Sequence, residues 1–423
     1  MQKNTNLNNI DLAITNFNQE LRINPHDPDL YNNLACLYYR INRIEEAIYN
    51  YQRTLHLNPN NWQAHYNLAN CYVKKNFIPD AISHYKFSIE LQPDNINAIQ
   101  NLGMVLVDSE NFAEALPYLE KAYLVNKETQ SNVEFIEHLS NCYLKTGNIP
   151  KATELLQQAI NLNPNKESLQ HNLAILYLRS NDYKQAKHHF KIALELNKNN
   201  QTAKHMLAAL SKQTTTQPPP EYIADLFDQY AGYYNKHLRE TLQYKLPEQF
   251  RSLYTKNYQT STVQNTLDLG CGTGLCGIYF RDATVNLIGI DLSKNMLHQA
   301  RSLEAYDLLI QANIQKSNVF QDNYFDLIIA ADVIPYIGEL ENLFLNIKIM
   351  LKNIKNKFLF NIELTENSQF ELQQTGRYAH NKNYIEQLAE KFNFKIIECL
   401  PEIIRLQNNI PTNGMIFLLT CVS

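Results

Sequence analysis

Hydrophobic and small residues repeat along the first half of the chain with a period of about 34 residues. Each period carries a leucine followed by a small residue, and these leucines are Leu34, Leu68, Leu102, Leu139 and Leu173. A second small residue recurs in the same phase, at Ala47, Ala81, Ala115, Ala152 and Ala186. Prolines at positions 59, 93 and 164 fall where a second helix would end. The pattern predicts stacked helical hairpins, because small residues let paired helices approach closely.

This period resembles that of tetratricopeptide (TPR) repeats, which stack into a helical solenoid. The spacing predicts five full repeats, at 28–61, 62–95, 96–129, 133–166 and 167–200. Ala13, Phe17 and Pro25 fit the second helix of a truncated leading repeat, and residues 201–212 fit a terminal capping helix. We therefore expect an N-terminal α-solenoid over residues 1–212.

One position on the first helix of the hairpin carries an amide in most repeats, at Asn33, Asn67, Asn101 and Asn172, with His138 in the fourth. Amide side chains both donate and accept hydrogen bonds, so a row of them suits an extended peptide backbone of any sequence. The row resembles the asparagine ladder of peptide-binding TPR proteins and implies a protein or peptide in the concave groove. A self-contained or dimerising scaffold is the alternative, since asparagine here also belongs to the general repeat consensus.

Between the two halves the chain reads QTTTQPPP over residues 213–220. Three successive prolines cannot continue a helix, and they favour an extended, semi-rigid spacer. This segment is the predicted boundary between the solenoid and a second domain at 221–423.

The second half has the right length for one doubly wound α/β domain and contains short apolar runs that read as strands. In the stretch NTLDLGCGTGLCG (Asn265–Gly277), an apolar run and an acidic residue lead into alternate glycines at 270, 272 and 274. Glycine allows positive φ and lets the backbone approach a bound cofactor. Dinucleotide-binding turns prefer G-x-G-x-x-G, whereas the third glycine here comes one residue early, which disfavours an NAD-dependent oxidoreductase.

The G-x-G-x-G turn resembles motif I of class I S-adenosylmethionine (SAM) methyltransferases, and the resemblance implies SAM as the cofactor. On this resemblance the turn holds the methionine part of SAM, and its residues are Asp268, Gly270, Cys271, Gly272 and Gly274. A second strand, NLIGIDL, ends at Asp291 and Leu292, twenty-one residues after Gly270. A carboxylate at that place can accept both ribose hydroxyls.

Two further strand ends continue the resemblance. LLIQANI places Asn313 and Ile314 at the end of a third strand, where the family usually has an aspartate bonded to the adenine amino group. Asparagine keeps a carbonyl acceptor for this bond, and Ile314 would pack on the adenine. YFDLIIAADVIPY resembles motif IV, whose Ala331 and Asp332 would face the reactive end of the cofactor. The resemblance implies a Rossmann-like doubly wound α/β fold over 221–423.

The segment that opens the second domain, EYIADLFDQYAGYYNKHLRETLQYKLPEQF, is apolar at helical spacing and rich in tyrosine. It is similar to the corresponding segment of the predicted TPR-containing methyltransferases and, more distantly, to that of the quinone- and biotin-synthesis methyltransferases. The resemblance implies that Tyr230 and Tyr234 belong to a lid over SAM, and packing within the core is the alternative. The chain departs from the family at Asn235, Asn313 and Gln407, where acidic residues are usual.

Methyl transfer from a sulfonium centre needs the donor and the nucleophile to be aligned, and it needs a base where the acceptor is a hydroxyl or neutral amine. His380 is the candidate base, because histidine titrates near neutrality. Arg377 and Tyr336 are candidates for positioning a carboxylate or phosphate of the substrate, the arginine through its bidentate fork. The alternative is that Arg377 and His380 only fix a loop.

The composition restricts other possibilities. The formal net charge is −4 and the pI is near 6.3, so bulk electrostatics offer nucleic acid no attraction. No apolar run approaches the roughly 18 residues that span a membrane, and the N-terminus lacks the apolar core of a signal peptide, which favours a cytoplasmic protein. Seven scattered cysteines form no C-x-x-C pair, so neither a metal site nor a disulfide framework is expected.

These patterns together predict a SAM-dependent methyltransferase that acts on an unidentified small-molecule or protein acceptor, with the repeats as a protein-interaction module. The alternative is an interaction protein whose methyltransferase-like domain is weak or inactive. The intact glycines and Asp291 favour the enzyme, whereas the departures from the family pattern favour the alternative.

Overall fold

The computed structural model describes residues 2–230, 244–258, 262–315, 325–351, 353–367, 369–407 and 410–422. The chain forms two compact units, Met1–Ser180 and Asn181–Ser423. The first is an all-helical repeat array and the second contains a mostly parallel sheet covered by helices. In the described part of the chain, no helix is both long and apolar enough to cross a membrane.

The first unit consists of helices that pair into antiparallel hairpins. They are α1 (Gln2–Ile23), α2 (Pro28–Arg40), α3 (Ile44–Leu57), α4 (Trp62–Lys74), α5 (Ile78–Leu91), α6 (Ile96–Asp108), α7 (Phe112–Val125), α8 (Lys127–Ser131), α9 (Val133–Lys145), α10 (Ile149–Leu162) and α11 (Glu167–Arg179). The hairpins α2–α3, α4–α5, α6–α7 and α9–α10 fall in the predicted repeats. The three extra residues before the fourth repeat are absorbed by the short helix α8.

Side-chain caps set where many of these helices begin. Asn61 accepts a hydrogen bond from the Ala64 N–H at the start of α4, and Asn95 accepts one from the Ala98 N–H at the start of α6. Such caps satisfy backbone donors that have no partner within the helix. Asn61 and Asn95 lie 34 residues apart because α4 and α6 begin with the same kind of cap.

The small residues of the period lie where helices touch. Ala69 and Ala81 are fully buried in the second hairpin, and Gly103 packs so closely on α7 that a Cβ would lie 2.6 Å from Leu119 Cδ2. The space between these contacts is filled by large side chains such as Tyr85, which is 2% exposed. Close helix approach at small residues and filling by large ones together explain the 34-residue period.

The second unit begins with α12 (Tyr183–Leu196) and α13 (Gln201–Leu210) and continues through a mixed α/β domain. Its other helices are α14 (Pro220–Tyr230), α15 (Leu246–Tyr258), α16 (Leu275–Phe280), α17 (Lys294–Arg301), α18 (Glu341–Met350) and α19 (Lys382–Lys391). Its strands are β1 (Val263–Leu269), β2 (Thr284–Asp291), β3 (Leu308–Gln311), β4 (Leu327–Ala330), β5 (Lys357–Leu364), β6 (Phe370–Leu372), β7 (Tyr378–His380), β8 (Phe394–Gln407) and β9 (Ile410–Cys421). The predicted spacer at 213–220 thus lies within this unit.

The strand order β3-β2-β1-β4-β5 is parallel throughout, and β9 joins β5 antiparallel with β8 at its other side. The order reverses between β1 and β4, which is where α/β sheets of this kind bind ligands at the carboxyl ends of their strands. A short hairpin, β6–β7, extends the carboxyl end of β5, and His380 lies in β7 with Arg377 just before it.

Both faces of the sheet are covered. Helices α18 and α19 pack Phe344 and Ile385 against one face, with Phe344 at 5.8 Å from the ring of Phe360. Helices α15 and α16 pack Phe250 and Phe280 against the other face. All four side chains of β4 are buried, which is the expected pattern for a central parallel strand and explains its continuous apolar sequence.

Candidate active site

A cleft opens at the carboxyl ends of β1 to β4, beside the reversal point of the sheet. Its empty space, including the open mouth, is about 760 Å³. The described residues that line it are Pro218, Pro220, Ile223, Phe227, Gly270, Gly272, Asp291, Leu292, Ala312, Asn313, Ile314, Gln315, Ala331, Asp332, Val333, Tyr336 and Ile337. Four separate strand ends therefore meet in one cavity.

The glycine turn presents bare backbone to this cleft. Gly270 has φ of +65° and lies so close to Val333 that a Cβ would be 2.5 Å from its Cγ2 atom. Gly272 has φ of +53°, and nothing lies within 4 Å of the place where its Cβ would be. The first glycine is required by packing and the second leaves room on the cleft side, as a cradle for a ligand does.

Asp291 closes the turn from the end of β2. Its Oδ2 accepts a hydrogen bond from the Gly272 N–H at 2.9 Å, and its Oδ1 accepts one from the Ser293 N–H at 2.8 Å. Burial raises the pKa of Asp291 to about 6, although these backbone donors act in the opposite direction. An ionised carboxylate has about four acceptor positions, so Asp291 keeps acceptor capacity for hydroxyl groups of a ligand.

The end of β3 supplies one polar and one apolar residue to the cleft. Asn313 Oδ1 accepts a hydrogen bond from the Gln315 N–H at 2.9 Å, which fixes the turn after the strand. The neighbouring Ile314 lines the cleft with an apolar surface. The side-chain oxygen of Asn313, which was predicted to accept a hydrogen bond from the cofactor, thus already accepts one from its own turn. A carbonyl oxygen has a second lone pair, with which it can accept a bond from a ligand.

The turn after β4 holds Asp332 in a left-handed conformation with φ of +59°. Its backbone N–H donates to Asn361 Oδ1 at 2.7 Å. Its carboxylate is 2.5 Å from Arg377 Nη2 and 3.4 Å from Arg405 Nη1. A non-glycine residue in this conformation is strained and needs such surrounding contacts to stay there.

Glu363 completes a buried ion cluster behind Asp332. Its Oε1 is 2.7 Å from Arg377 Nε and 2.7 Å from Arg405 Nη2. Two arginines and two carboxylates balance each other, and none of the four side chains is more than 9% exposed. Every charge in the cluster is paired, as burial of charge requires.

Tyr336 connects this cluster to the cleft. Its hydroxyl accepts a hydrogen bond from Arg377 Nη1, and the guanidinium carbon lies 4.3 Å from the centre of its ring. Phe227 of α14 packs edge-on against the same ring at 4.9 Å. Burial raises the pKa of Tyr336, so the phenol stays protonated at neutral pH and can act as a hydrogen-bond donor in the cleft.

Comparison with known proteins agrees with this geometry. A family model described as a methyltransferase domain matches residues 267–354, which contain the glycine turn, Asp291 and Asp332. Models described as TPR or tetratricopeptide repeats match residues 16–49, 36–76, 106–176 and 168–200. The chain carries tetratricopeptide repeats and a methyltransferase domain.

Individual relatives are similar to parts of the chain. An 18S rRNA (guanine-N(7))-methyltransferase from Bos taurus is 34% identical over 71 residues, and the match covers 17% of this chain and only a quarter (25%) of that protein. The crystal structure of YrrB, a TPR protein with an unusual peptide-binding site, is 24% identical and covers 45% of this chain and 96% of its own, with a TM-score of 0.42. MamA from Desulfovibrio magneticus RS-1 is 22% identical over 41% of this chain and 96% of its own, with a TM-score of 0.36.

Within the methyltransferase domain, eight residues predicted from the sequence to bind the cofactor line the cleft. They are Gly270, Gly272, Asp291, Leu292, Asn313, Ile314, Ala331 and Asp332. Tyr336, predicted as a catalytic residue, lines it as well. Tyr234 lies outside the described residues, and Tyr230 ends α14 without a described side chain.

Three other residues of the turn that were predicted to bind the cofactor are not among those that line the cleft. Asp268 is 1% exposed and accepts a hydrogen bond from the Tyr306 hydroxyl at 2.7 Å. Burial raises its pKa to about 7. Cys271 is buried, and burial raises the pKa of its thiol well above the ordinary value. Gly274, with φ of +89°, makes room for Tyr306, whose Cε2 would lie 3.1 Å from a Cβ there.

Tyr306 is a structural partner that sequence analysis missed. A Cβ on Gly277 would lie 2.3 Å from its ring, and a Cβ on Gly289 would lie 2.9 Å from it. The signal in the sequence was the pair of extra glycines, which have negative φ and so are not needed for the backbone conformation. They are needed because a tyrosine ring packs against them.

The predicted role of Arg377 in holding a substrate anion does not fit its surroundings. The side chain is turned into the domain and pairs with two carboxylates, so it has no charge to spare for a further anion. Its contacts instead hold Asp332 and Tyr336 in place at the cleft. We therefore describe Arg377 as a positioning residue.

The predicted base His380 lies in β7, and its side chain is fully buried. Its Nε2 donates a hydrogen bond to the Gly338 carbonyl at 2.9 Å, and its ring stacks on Tyr384 at 6.4 Å. Burial lowers the pKa of His380 to about 4. The residue is outside the cleft lining and both of its ring nitrogens are buried, so the geometry does not support a general base there.

In the TPR array, the predicted asparagine ladder is partly engaged with neighbouring repeats. Asn101 Nδ2 donates to Asn70 Oδ1 at 3.0 Å, and Asn67 Nδ2 lies 3.8 Å from Cys36 Sγ. Asn67 and Asn101 are half-buried, whereas Asn33 and Asn172 are exposed. The amides thus bond between hairpins while keeping part of their surface accessible.

Proposed function

We propose that the second unit binds SAM in the cleft and catalyses transfer of its methyl group. The observation that carries the proposal is the convergence of three sequence motifs, at 270–272, 291–292 and 331–332, on one cavity at the reversal point of the sheet. Such convergence at the carboxyl edge of a parallel sheet is the usual arrangement of nucleotide-type sites.

The residues present fit a nucleoside cofactor. The open space over Gly272 admits a ligand close to backbone, and Asp291 keeps acceptor capacity for ribose hydroxyls. Ile314 and Asn313 would meet the base, while Ala331 and Asp332 would meet the opposite end. When bound, SAM supplies an electrophilic methyl group on a sulfonium sulfur.

The contribution of the chain itself is alignment. Asp332 and Tyr336 are held from behind by Arg377, so the cleft wall is rigid where an acceptor would enter. Fixing two reacting groups in this way lowers a barrier by several kcal/mol, up to roughly 7–11 kcal/mol in well-oriented systems. Neither described arginine of the cluster is available to an acidic acceptor, so the proposal favours a neutral or nitrogen-bearing acceptor over a carboxylate or phosphate.

The TPR array is proposed to bind a protein or peptide that either carries the acceptor or is itself methylated. Stacked helical repeats present extended concave surfaces suited to peptides. The ladder positions Asn33 and Asn172 are the accessible amides that support this reading.

The test is calorimetric titration of the full chain with SAM and with S-adenosylhomocysteine (SAH), beside Asp291→Asn. We expect micromolar binding that weakens about 10- to 100-fold in the variant, because lost hydrogen bonds to a buried group cost about 1–3 kcal/mol. Asp282→Asn is the matched control, since Asp282 lies in the same domain with a side chain that is 75% exposed.

A folded wild-type chain that binds neither ligand would overturn the proposal and favour an interaction protein with a methyltransferase-like domain. Where binding is found, transfer of labelled methyl from SAM to peptides, small amines and RNA would identify the class of acceptor.

A further inference from the structure

The segment between α13 and α14, Thr214–Pro220, is packed along the methyltransferase domain. We call this segment the strap. The Glu339 N–H donates to the Thr216 carbonyl at 2.8 Å, and Thr215 Oγ1 shares a hydrogen bond with the Tyr378 hydroxyl at 2.7 Å. The Leu372 N–H donates to Thr214 Oγ1 at 3.3 Å. A run of residues that reads as a spacer is therefore bonded to three different parts of the domain.

Gln217 joins two sides of the cleft through one side chain. Its Nε2 donates to the Glu339 carbonyl at 2.7 Å, just after the turn that carries Asp332 and Tyr336. Its Oε1 accepts from Gln315 Nε2 at 2.5 Å, just after β3 and next to Asn313. Because Gln315 lines the cleft, the amide of Gln217 fixes the strap across the end of this wall.

The prolines of the strap form part of the cleft surface. Pro218 and Pro220 both line the cavity, and Pro218 is buried. Proline has no N–H, so it offers an apolar surface without an unsatisfied backbone donor, and its fixed φ keeps the strap extended. The strap then supplies an apolar wall opposite the polar residues of the strand ends.

Both ends of the strap are fixed on the same turn of the domain. On α13, His205 Nε2 donates to the Gly376 carbonyl at 3.0 Å, and its ring packs 4.6 Å from Tyr222 of α14. A Cβ on Gly376 would lie 2.5 Å from the Tyr222 hydroxyl and 2.8 Å from Met206 Sδ. His205 is 2% exposed, so α13 is seated in the domain and does not end freely in solvent.

We propose that the strap is a cofactor-binding element, in which Gln217 holds Pro218 and Pro220 against the nucleoside part of SAM. The inference rests on the proposed function, because the ligand that it names is that cofactor. The nucleoside part is indicated because the strap is bonded beside Asn313 and Gln315, at the end of β3.

The first test compares SAH and adenosine binding to full-chain Gln217→Ala with binding to the wild type. Loss of both hydrogen bonds of the Gln217 amide is expected to raise the Kd for SAH about tenfold or more. Adenosine binding should weaken in proportion. Gln213→Ala is the matched control, because Gln213 is an exposed glutamine just before the strap. Melting temperatures verify that both variants are folded.

The second test measures hydrogen–deuterium exchange of the amides of residues 214–217 with and without SAH. We expect SAH to slow this exchange in the wild type and not in Gln217→Ala, which a merely structural role of Gln217 would not produce. If SAH binds the wild type and Gln217→Ala equally and leaves the strap amides unchanged, the strap proposal is overturned and the proposed function stands. If the wild type binds no SAH, both are overturned.

Discussion

Arg377 and Asp332 form an ion pair inside the methyltransferase domain, with 2.5 Å between Nη2 and Oδ1 and only 8% of either side chain exposed. Arg377 is also bonded to Glu363 and to the Tyr336 hydroxyl. The pair keeps a strained, left-handed residue on the wall of the cleft. A residue that looked like a substrate ligand in the sequence thus supports the cleft from behind.

Arg377→Met should destabilise the domain strongly, because it leaves two buried carboxylates with only Arg405 as a partner. Breaking a buried pair from one side typically costs about 3–5 kcal/mol. Urea unfolding of the full chain measures the free energy, and Arg301→Met on the exposed surface of α17 is the control. A free energy of unfolding equal to that of the control would contradict the role assigned to the cluster.

Arg377→Lys keeps the charge but not the three bonds, and we expect it to fold and to bind SAH more weakly.

Alanine substitutions at the two glycines of the turn should destabilise the domain to different degrees. At Gly272 alanine meets no neighbour and only the positive φ opposes it, which costs about 1–2 kcal/mol. At Gly270 the same strain is joined by a contact of 2.5 Å with Val333, and overpacking adds about 1–3 kcal/mol. The melting temperature of Gly270→Ala should therefore be lower than that of Gly272→Ala.

Val333→Ala provides the check on this reasoning. It removes the methyl groups that a Cβ at 270 would strike, so the double variant should recover part of the stability lost in Gly270→Ala. The same change should give no recovery when combined with Gly272→Ala. Recovery in both backgrounds would show that the contact with Val333 is not the cause.

The parts of the site that the sequence predicted are those with a local signal. Positive φ at Gly270 and Gly272 favours glycine, and a carboxylate at the end of an apolar strand, as at Asp291, stands out against its neighbours. The helical repeats were predictable for a similar reason, because each hairpin restates the same small and large positions. A structural requirement that involves only neighbouring residues is therefore visible in the sequence of those residues.

The parts that sequence analysis missed depend on pairing between distant segments. Asp332 meets Arg377 45 residues later and Arg405 73 residues later. The pairing of β5 with β7, and of β9 with both β5 and β8, brings these residues together. Each residue alone looks like a free polar group. The strap shows the same limit, since proline and threonine predict extended backbone but do not indicate what the backbone packs against.

Asp268 should make stability depend on pH in one direction. Its pKa is about 7 in the folded domain, raised by burial from 3.8, so folding takes up a proton between these values. The free energy of unfolding therefore falls as pH rises from about 4 to 7, by as much as about 4 kcal/mol. Asp268→Asn removes this loss and keeps an acceptor for Tyr306.

The measurement is urea unfolding of wild type and Asp268→Asn at pH 5 and pH 8, with Asp282→Asn as control. The advantage of the variant over the wild type should be larger at pH 8 than at pH 5. An equal difference at both pH values would mean that the carboxyl is ionised in the folded state throughout.

His380 should make the free energy of unfolding depend on pH in the direction opposite to Asp268. Burial lowers its pKa from 6.5 to about 4, so the folded domain keeps the ring neutral while the unfolded chain protonates it. The stabilisation is complete above pH 6.5 and is lost as pH falls toward 4, by about 3 kcal/mol. His380→Gln retains a donor for the Gly338 carbonyl and has no proton to gain, so the wild type should lose more stability than this variant between pH 7.5 and 4.5.

His298→Gln, at an exposed position of α17, is the control and should follow the wild type. Parallel loss in wild type and His380→Gln would show that the ring protonates without unfolding, and would return His380 to consideration as a titrating group of the active site.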